Sequence, residues 1–156
     1  MFFTRFLSVL VMVFFVTSVA QAGEGLTPST IEGVSKVSAE QAMKLCKEGA
    51  VFIDPRKKIE WKEEHIVCNG LPAVYAKFKT KSGNKQDFDK SKDKLNVSVI
   101  PKGKKLIFYC NGVKCWKSFK SLSIVSSTDG YDPKNLYWFR GGIPEWKSKG
   151  FPTSKK

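Results

Sequence analysis

The chain has 156 residues, 42% hydrophobic and 26% charged, which is the composition of a globular domain rather than of a disordered or membrane-embedded protein. Basic residues outnumber acidic ones by 27 to 14, so the formal net charge is +13. Such a charge attracts anions. With no recognised nucleic-acid motif in the chain, small inorganic anions or an acidic surface fit this charge better than nucleic acid, although lysines also simply keep a surface soluble.

The first 22 residues have the features of a secretory signal peptide. Arg5 supplies the positive charge near the start, and the apolar run from Phe6 to Val16 is too short to span a bilayer comfortably. Ala20-Gln21-Ala22 is a cleavage site of small residues. We therefore predict export to the periplasm and no membrane contact once the signal peptide is removed after Ala22.

The remaining chain alternates between predicted strands and predicted helices. Ser38 followed by Gln41 forms a capping box for a helix over 39–47. A brief helix is predicted over 59–65, another after Cys115, and a last one over 144–147. Short buried strands are predicted at 51–54, 106–109 and 136–139, with weaker ones at 34–37 and 71–78. The lysine-rich segment 77–94 predicts a solvent-facing excursion.

Strand and helix alternation predicts an α/β fold with a mostly parallel central sheet flanked by helices. In such sheets the active groups lie at the carboxyl ends of the strands. The best predicted strand, 106–109, ends at Cys110, and a six-residue loop and a helix follow at once. Loop N–H groups from Asn111 to Cys115 and the positive end of the helix dipole lower the pKa of a thiol and hold an anion beside it. Cys110 is therefore the candidate nucleophile, although a free cysteine can equally be a small buried hydrophobe.

Several motifs in this order resemble those of single-domain rhodaneses. The segment Val51-Phe52-Ile53-Asp54-Pro55-Arg56 resembles the strand that ends in Asp-x-Arg, and Glu60 through His65-Ile66 resembles the Glu and Gly-His-Ile element. Tyr109-Cys110 opens the active-site loop, whose Cys-Asn-Gly-x-x-Cys-Trp form is similar to that of exported rhodanese-like proteins. Phe139-Arg140-Gly141-Gly142-Ile143, with Trp146, Gly150 and Pro152, resembles the closing signature.

The resemblance implies a rhodanese-like three-layer sandwich over residues 34–152. A signal peptide (1–22) and an N-terminal extension (23–33) would precede it, and a basic tail (153–156) would follow it. It also implies sulfur transfer. Cys110 would take sulfane sulfur from thiosulfate or polysulfide as a persulfide and pass it to cyanide or to a thiol acceptor, either a small molecule or a protein. No cofactor is implied.

Candidate site residues follow from the loop and from the resemblance. The loop residues predicted to bind the anionic donor are Asn111, Gly112, Val113, Lys114 and Cys115. Among the cations, Lys114 is the first candidate, followed by Lys117 and Arg140. By resemblance Asp54 and Arg56 form a structural ion pair, and His65, the only histidine, is predicted to be a hydrogen-bonded turn residue.

Four cysteines allow three full disulfide pairings, and the sequence leaves the choice open. If Cys110 is an unpaired thiol, Cys46 with Cys68 is the natural structural pair. Cys115 departs from the common family pattern and could cap the loop, resolve a persulfide, regulate the site, or bond to Cys110. No metal site is predicted, because the spacing of Cys110 and Cys115 is too wide for a zinc knuckle and a single histidine leaves few further ligands.

Two other functions compete with sulfur transfer. A thiol-disulfide redox protein would cycle Cys110 and Cys115 between dithiol and disulfide. A non-catalytic module would use the same loop only to bind sulfide or another anion. The physiological donor and acceptor and the oligomeric state cannot be read from the residues.

Overall fold

The structure is a computed structural model that describes residues 25–80, 89 and 91–156. The predicted signal peptide and the middle of the lysine-rich segment lie outside the described residues. Within the described part of the chain, no helix is long and apolar enough to cross a membrane.

The described residues form short strands and four α-helices. The helices are α1 (Ala39–Lys47), α2 (Lys58–Glu63), α3 (Trp116–Val125) and α4 (Gly142–Ser148). The strands are β1 (Ser35–Lys36), β2 (Val51–Asp54), β3 (His65–Cys68), β4 (Leu71–Pro72), β5 (Val74–Tyr75), β6 (Phe78–Lys79), β7 (Lys94–Leu95), β8 (Leu106–Tyr109), β9 (Leu136–Phe139) and β10 (Thr153–Ser154).

Five strands form the central sheet, in the order β1-β9-β8-β2-β5. Every neighbouring pair in it runs parallel. Parallel strands are covered on both faces, which is why β8 is buried along its whole length. The parallel sheet and its flanking helices confirm the predicted α/β fold.

Side chains alternate between two cores, one on each face of the sheet. On one face Phe52, Ile107 and Phe139 pack with Ala42 of α1 and Trp146 of α4. The other face carries residues of the same strands and packs against α3. Its main members are Ile53, Phe108, Trp138, Leu122 and Val125. The sheet therefore has α1 and α4 on one side and α3 on the other.

The first helix begins as predicted. The Ser38 side chain accepts a hydrogen bond from the N–H of Gln41, and the Gln41 side chain accepts one from the N–H of Ser38. The last helix is longer than predicted, because it already begins at Gly142.

Three predictions between residues 59 and 78 were wrong in detail. The helix over 59–65 ends at Glu63, and His65 begins a strand instead of lying in a turn. Cys68 ends that strand. The stretch 71–78 does not form one strand. It contains the two-residue strands β4, β5 and the start of β6, and each of these belongs to a different sheet.

The lysine-rich segment also contains buried residues. Phe78 packs in the interior, and β6 pairs with β7 in a two-stranded sheet. Asp93 is 2% exposed and lies 3.6 Å from the Nζ atom of the fully buried Lys120 on α3. The described ends of this segment are therefore anchored to the domain, contrary to a purely solvent-facing excursion.

A disulfide joins α1 to β3. Cys46 and Cys68 are bonded with their Cα atoms 5.7 Å apart, and both belong to the apolar core between α1, α4 and the sheet. The Nδ2 group of Asn69 donates to the carbonyl oxygen of Cys46 over 2.8 Å.

Candidate active site

Cys110 lies where the fold would position a reactive group. It follows β8, which lies inside the sheet between β9 and β2, so it is at the carboxyl edge of a parallel sheet. The loop then turns at Gly112, whose φ is +104°, and α3 begins with Cys115 as its N-cap residue. The N–H of Cys115 donates to the carbonyl oxygen of Gly112 over 2.9 Å, which closes the loop on itself.

The two loop cysteines are bonded to each other. Their Cα atoms are 6.0 Å apart, and the exposed fractions of the two residues are 1% for Cys110 and 7% for Cys115. Of the alternatives left open for Cys115, a bond to Cys110 is the one that this structure contains. In this form Cys110 is no thiolate, so any nucleophilic chemistry at Cys110 must begin with reduction of the bond.

The start of α4 is packed against the loop. The N–H of Ile143 donates to the carbonyl oxygen of Cys110 over 3.0 Å. Gly142 has a φ of +61°, and a Cβ atom there would lie 2.7 Å from the backbone nitrogen of Gly112 and closer still to the carbonyl oxygen of Cys110. Gly142 is therefore required by the loop as well as by its own turn. Sequence reasoning named this glycine only as part of the closing signature and missed its contact with the loop.

Asn111 is hydrogen-bonded to a buried ion pair. Arg56 and Asp54 are 4% and 0% exposed and form a salt bridge of 2.8 Å. The same guanidinium donates from Nη1 to the Oδ1 atom of Asn111 over 3.1 Å, and it also binds the carbonyl oxygen of Glu64. The Asp54–Arg56 pair thus connects the scaffold to the residue that follows Cys110.

Glu60 is the second hydrogen-bond partner of the Asn111 side chain. Its Oε1 atom accepts a hydrogen bond from the Nδ2 group of Asn111, and its Oε2 atom lies 3.9 Å from the Nζ atom of Lys117. Sequence reasoning noted Glu60 only as part of a motif and did not assign it to the site. The sequence feature that pointed to a role for Glu60 was its position in the Glu and Gly-His-Ile element.

The charges of this network follow from burial and hydrogen bonding. Burial is the largest single influence on Arg56 and opposes its charge, but the hydrogen bonds to Asp54 and the negative charges of Asp54 and Glu60 together raise the pKa of Arg56. Burial likewise opposes ionisation of Glu60, yet the hydrogen bond from Asn111 and the nearby cations lower its pKa. For Lys117, burial is the largest influence and lowers the pKa of its ammonium group.

Tyr109 ties this network to the core. Its hydroxyl donates to the Oδ2 atom of Asp54 and accepts from the N–H of Ile66 over 3.2 Å. Burial raises the pKa of Tyr109 well above its ordinary value, so the side chain is a neutral phenol. The strand residue before Cys110 is thereby fixed by the carboxylate that also holds Arg56.

Arg140 is engaged by the N-terminal segment. Its Nε group donates to the Oγ1 atom of Thr27 over 2.9 Å, and its Nη2 group donates to the carbonyl oxygen of Thr27 over 2.7 Å. Thr27, 1% exposed, in turn donates from its N–H and its hydroxyl to the carbonyl oxygen of Val113. Arg140 therefore reaches the loop through Thr27. No sequence signal indicated this contact, because Thr27 and Arg140 are 113 residues apart.

Two open cavities border the loop. One of about 380 Å³ is lined by Val113, Arg140 and Gly141, and one of about 520 Å³ by Arg56, Asn111 and Lys147, each with further polar residues. Lys114 is exposed on the loop between them. Small solutes can thus approach the loop from both sides.

His65 packs against α2. Its Nδ1 atom is 2.9 Å from the carbonyl oxygen of Trp61, and the two rings stack with their centroids 5.0 Å apart. The ring is 2% exposed.

Comparison with known proteins identifies the family. The model of the rhodanese-like domain matches residues 38–149, which is most of the chain, and the chain therefore belongs to the rhodanese-like domain family. A comparison with curated proteins finds no match.

Solved structures share the fold at low sequence identity. A Bacillus halodurans protein has a TM-score of 0.55 and 20% identity over 78% of this chain and 77% of its own. A rhodanese-like domain from Anabaena sp. has a TM-score of 0.50 and 17% identity over 81% of both chains. The thiosulfate sulfurtransferase of Pseudomonas aeruginosa has a TM-score of 0.51 and 15% identity over 78% of this chain, which spans only 20% of that larger protein.

Proposed function

We propose that this rhodanese-like domain is an exported sulfurtransferase in which Cys110 carries sulfane sulfur as a persulfide. The observation that carries the proposal is the position of Cys110 at the carboxyl end of an inner parallel strand, at the start of the loop that leads into α3. Membership of the rhodanese-like family supports the same chemistry.

In the proposed reaction the reduced form is the active one. The Cys110 thiolate attacks the outer sulfur of thiosulfate, the sulfur–sulfur bond of the donor breaks, and sulfite leaves with the electron pair. A thiol or cyanide then takes the outer sulfur from the persulfide and releases the Cys110 thiolate. A thiolate needs no general base, so the loop and its cations have only to hold the anions in position.

The charge of the chain suits anionic donors. The net charge is +13, and Lys114 and Lys117 lie on the loop and on the first turn of α3. Lys117 is half-buried, which strengthens its interaction with a bound anion.

Export is supported by the chemistry of the cysteines. The N-terminus has the pattern of a signal peptide, and every described cysteine is in a disulfide, as is common in oxidising compartments. N-terminal sequencing of the protein isolated from its own cell envelope tests the proposal, with Gly23 expected as the first residue. An N-terminus that retains the apolar run contradicts cleavage.

A second candidate function is favoured by the Cys110–Cys115 bond itself. A pair of loop cysteines next to a helix N-terminus, present as a disulfide, is the arrangement that a thiol-disulfide redox protein needs. Such a protein would exchange two electrons with a dithiol partner and carry no sulfur.

A thiosulfate:cyanide assay on the reduced protein separates the two functions. We expect Cys110→Ser to abolish thiocyanate formation and Cys115→Ser to retain it, because only Cys110 would bear the persulfide. Exchange with a model dithiol, measured alongside, should be lost in both variants if the pair acts as a redox couple. Wild-type protein that exchanges disulfides but forms no thiocyanate would establish the second function instead.

A further inference from the structure

We propose that the disulfide form of the site takes sulfur directly from hydrosulfide and converts it into a persulfide on Cys110. This activity rests on the proposed function, since it loads the same sulfur atom, but it names a different substrate and needs no sulfane-sulfur donor. The Cys110–Cys115 bond is the oxidant.

The location of the bond is the first argument. It joins the proposed nucleophile to the N-cap residue of α3 across a separation of five residues, inside the loop itself. The other described disulfide, Cys46–Cys68, lies in the apolar core. The loop disulfide can accept two electrons, and one of its sulfur atoms is the one that would carry the persulfide. It does not connect distant parts of the fold.

The proposed step balances without any further reagent. Hydrosulfide attacks the Sγ atom of Cys110, a new sulfur–sulfur bond forms, and the Cys110–Cys115 bond breaks. Cys115 leaves as a thiolate with the electron pair, and the proton stays on the persulfide or is released to solvent. The incoming sulfide is oxidised by two electrons to the sulfane level, and the disulfide is reduced by the same two electrons.

The position of Cys115 determines which sulfur leaves. Cys115 is the N-cap of the ten-residue helix α3, and its side chain makes no capping hydrogen bond in the disulfide form. A thiolate released there meets the N–H groups of the first turn, which point out of the helix end, and the positive end of the helix dipole. Because the more stabilised thiolate is the better leaving group, attack should add the sulfur to Cys110.

The burial of the bond selects for small nucleophiles. Cys110 is 1% exposed and Cys115 is 7% exposed, so a protein thiol would have to displace the loop before it could attack. Hydrosulfide has one heavy atom and a negative charge, which suits the two cavities beside the loop and a chain of net charge +13.

One turnover leaves the site as a dithiol. After a thiol acceptor takes the outer sulfur, Cys110 and Cys115 are both reduced. A small-molecule disulfide, able to reach the same buried sulfur atoms, must then accept the two electrons and re-form the bond. Hydrosulfide and this oxidant are the only reagents that the cycle consumes besides the acceptor.

The test uses the mature protein with both disulfides intact and equimolar sodium sulfide, without oxygen. We expect one persulfide and one new thiol per chain, which alkylation and peptide mass mapping should assign to Cys110 and Cys115. The Cys46–Cys68 bond is the internal control and should remain unmodified. Pre-reduced wild-type protein should gain no persulfide from sulfide, and neither should Cys115→Ser, because the oxidant is absent from both.

The same preparation also tests the proposed function separately. Pre-reduced wild-type protein receives thiosulfate, and persulfide on Cys110 in that arm supports the sulfurtransferase whatever sulfide does. No persulfide from sulfide in the disulfide form, persulfide on Cys115, or equal labelling of Cys46 and Cys68 overturns the hydrosulfide proposal. Loading by sulfide but not by thiosulfate supports it and removes thiosulfate as a donor.

Discussion

The Cys46–Cys68 and Cys110–Cys115 disulfides lie in two regions of the molecule that are built differently. The first joins a helix to a strand across the core, and its two cysteines are 22 positions apart in the chain. The second joins the two ends of one loop, five residues apart, between an inner strand and the helix that follows it. A bond that connects distant elements stabilises the fold, whereas a bond inside a loop chiefly decides which chemical form the loop has.

The chain-entropy model assigns sizes to this difference. Closing a loop of 22 residues stabilises the folded state by about 3 kcal/mol, and closing one of five residues by about 2 kcal/mol. Both cysteines of the core bond also belong to the apolar cluster that contains Ala50 and residues of α1. Loss of the core bond should therefore mainly lower stability. Loss of the loop bond should mainly change activity.

Removal of the core disulfide should have the largest effect on stability. Cys46→Ala with Cys68→Ala should lower the free energy of unfolding by about 3 kcal/mol, because the unfolded chain gains freedom. Urea denaturation of the oxidised protein measures the loss. The thiosulfate:cyanide rate at 25 °C should stay within about threefold of wild type. A collapse of that rate in a variant that is still folded would mean that the two regions are coupled.

A pair of glycines with similar backbone conformations sharpens the comparison. Gly142 and Gly150 have φ values of +61° and +67°, so alanine costs roughly 1–2 kcal/mol at either position. A Cβ atom at Gly150 meets nothing within 4 Å, but at Gly142 it collides with the backbone of Cys110 and Gly112. Gly142→Ala should therefore also displace the loop.

The expected result is a difference in activity, together with a larger loss of stability in Gly142→Ala, because the atoms that must shift there belong to the backbone. Gly142→Ala should reduce the rate of sulfur transfer by more than about tenfold, or 1.4 kcal/mol in the barrier, and Gly150→Ala should leave it unchanged. Steady-state kinetics and thermal unfolding of the two variants measure both quantities. Equal rates in the two variants would show that the contact between α4 and the loop is dispensable.

Much of the sheet could be predicted, because its signal is local. The apolar runs at Val51–Asp54, Leu106–Tyr109 and Leu136–Phe139 match β2, β8 and β9 to the residue, since strands buried on both faces are continuous apolar runs. The position of Cys110 follows from the same signal. The end of a predicted inner strand is the edge where a parallel sheet presents its active groups.

The contacts that shape the site have no such local signal. Thr27 meets Arg140, and Glu60 meets Asn111, across 113 and 51 residues. Nothing in the neighbourhood of either residue indicates its partner. The pairing of Cys46 with Cys68 depends in the same way on how α1 packs against β3. His65 was misassigned because the end of a short helix and the start of a strand follow each other with one residue between them.

Each disulfide has an adjacent asparagine, and the two asparagines offer a smaller test. Asn69 donates to the carbonyl oxygen of Cys46, and Asn111 joins Arg56 and Glu60. Each alanine variant loses hydrogen bonds worth about 1 kcal/mol. Asn69→Ala should lower stability and leave the rate of transfer unchanged, whereas Asn111→Ala should lower both stability and the rate, the rate by about fivefold. Denaturation midpoints and kcat/KM for thiosulfate report the two effects, and the reverse pattern would contradict the division between scaffold and loop.

The expected effect of Cys115→Ala on transfer is small, and this variant separates protection from catalysis. In the reduced protein the Cys115 side chain bears no sulfur cargo, so Cys115→Ala should change the initial rate by no more than about threefold. Its role should appear under peroxide. In wild type, Cys115 can trap a sulfenic acid on Cys110 as the disulfide, which a thiol reverses, whereas in the variant oxidation continues irreversibly to the sulfinic acid. Mass spectrometry of the Cys110 peptide should therefore show faster sulfinic acid formation in the variant, with Cys68→Ala as a control that oxidises like wild type at Cys110. Equal over-oxidation would remove the protective role, and a large loss of initial rate would make Cys115 part of the transfer step itself.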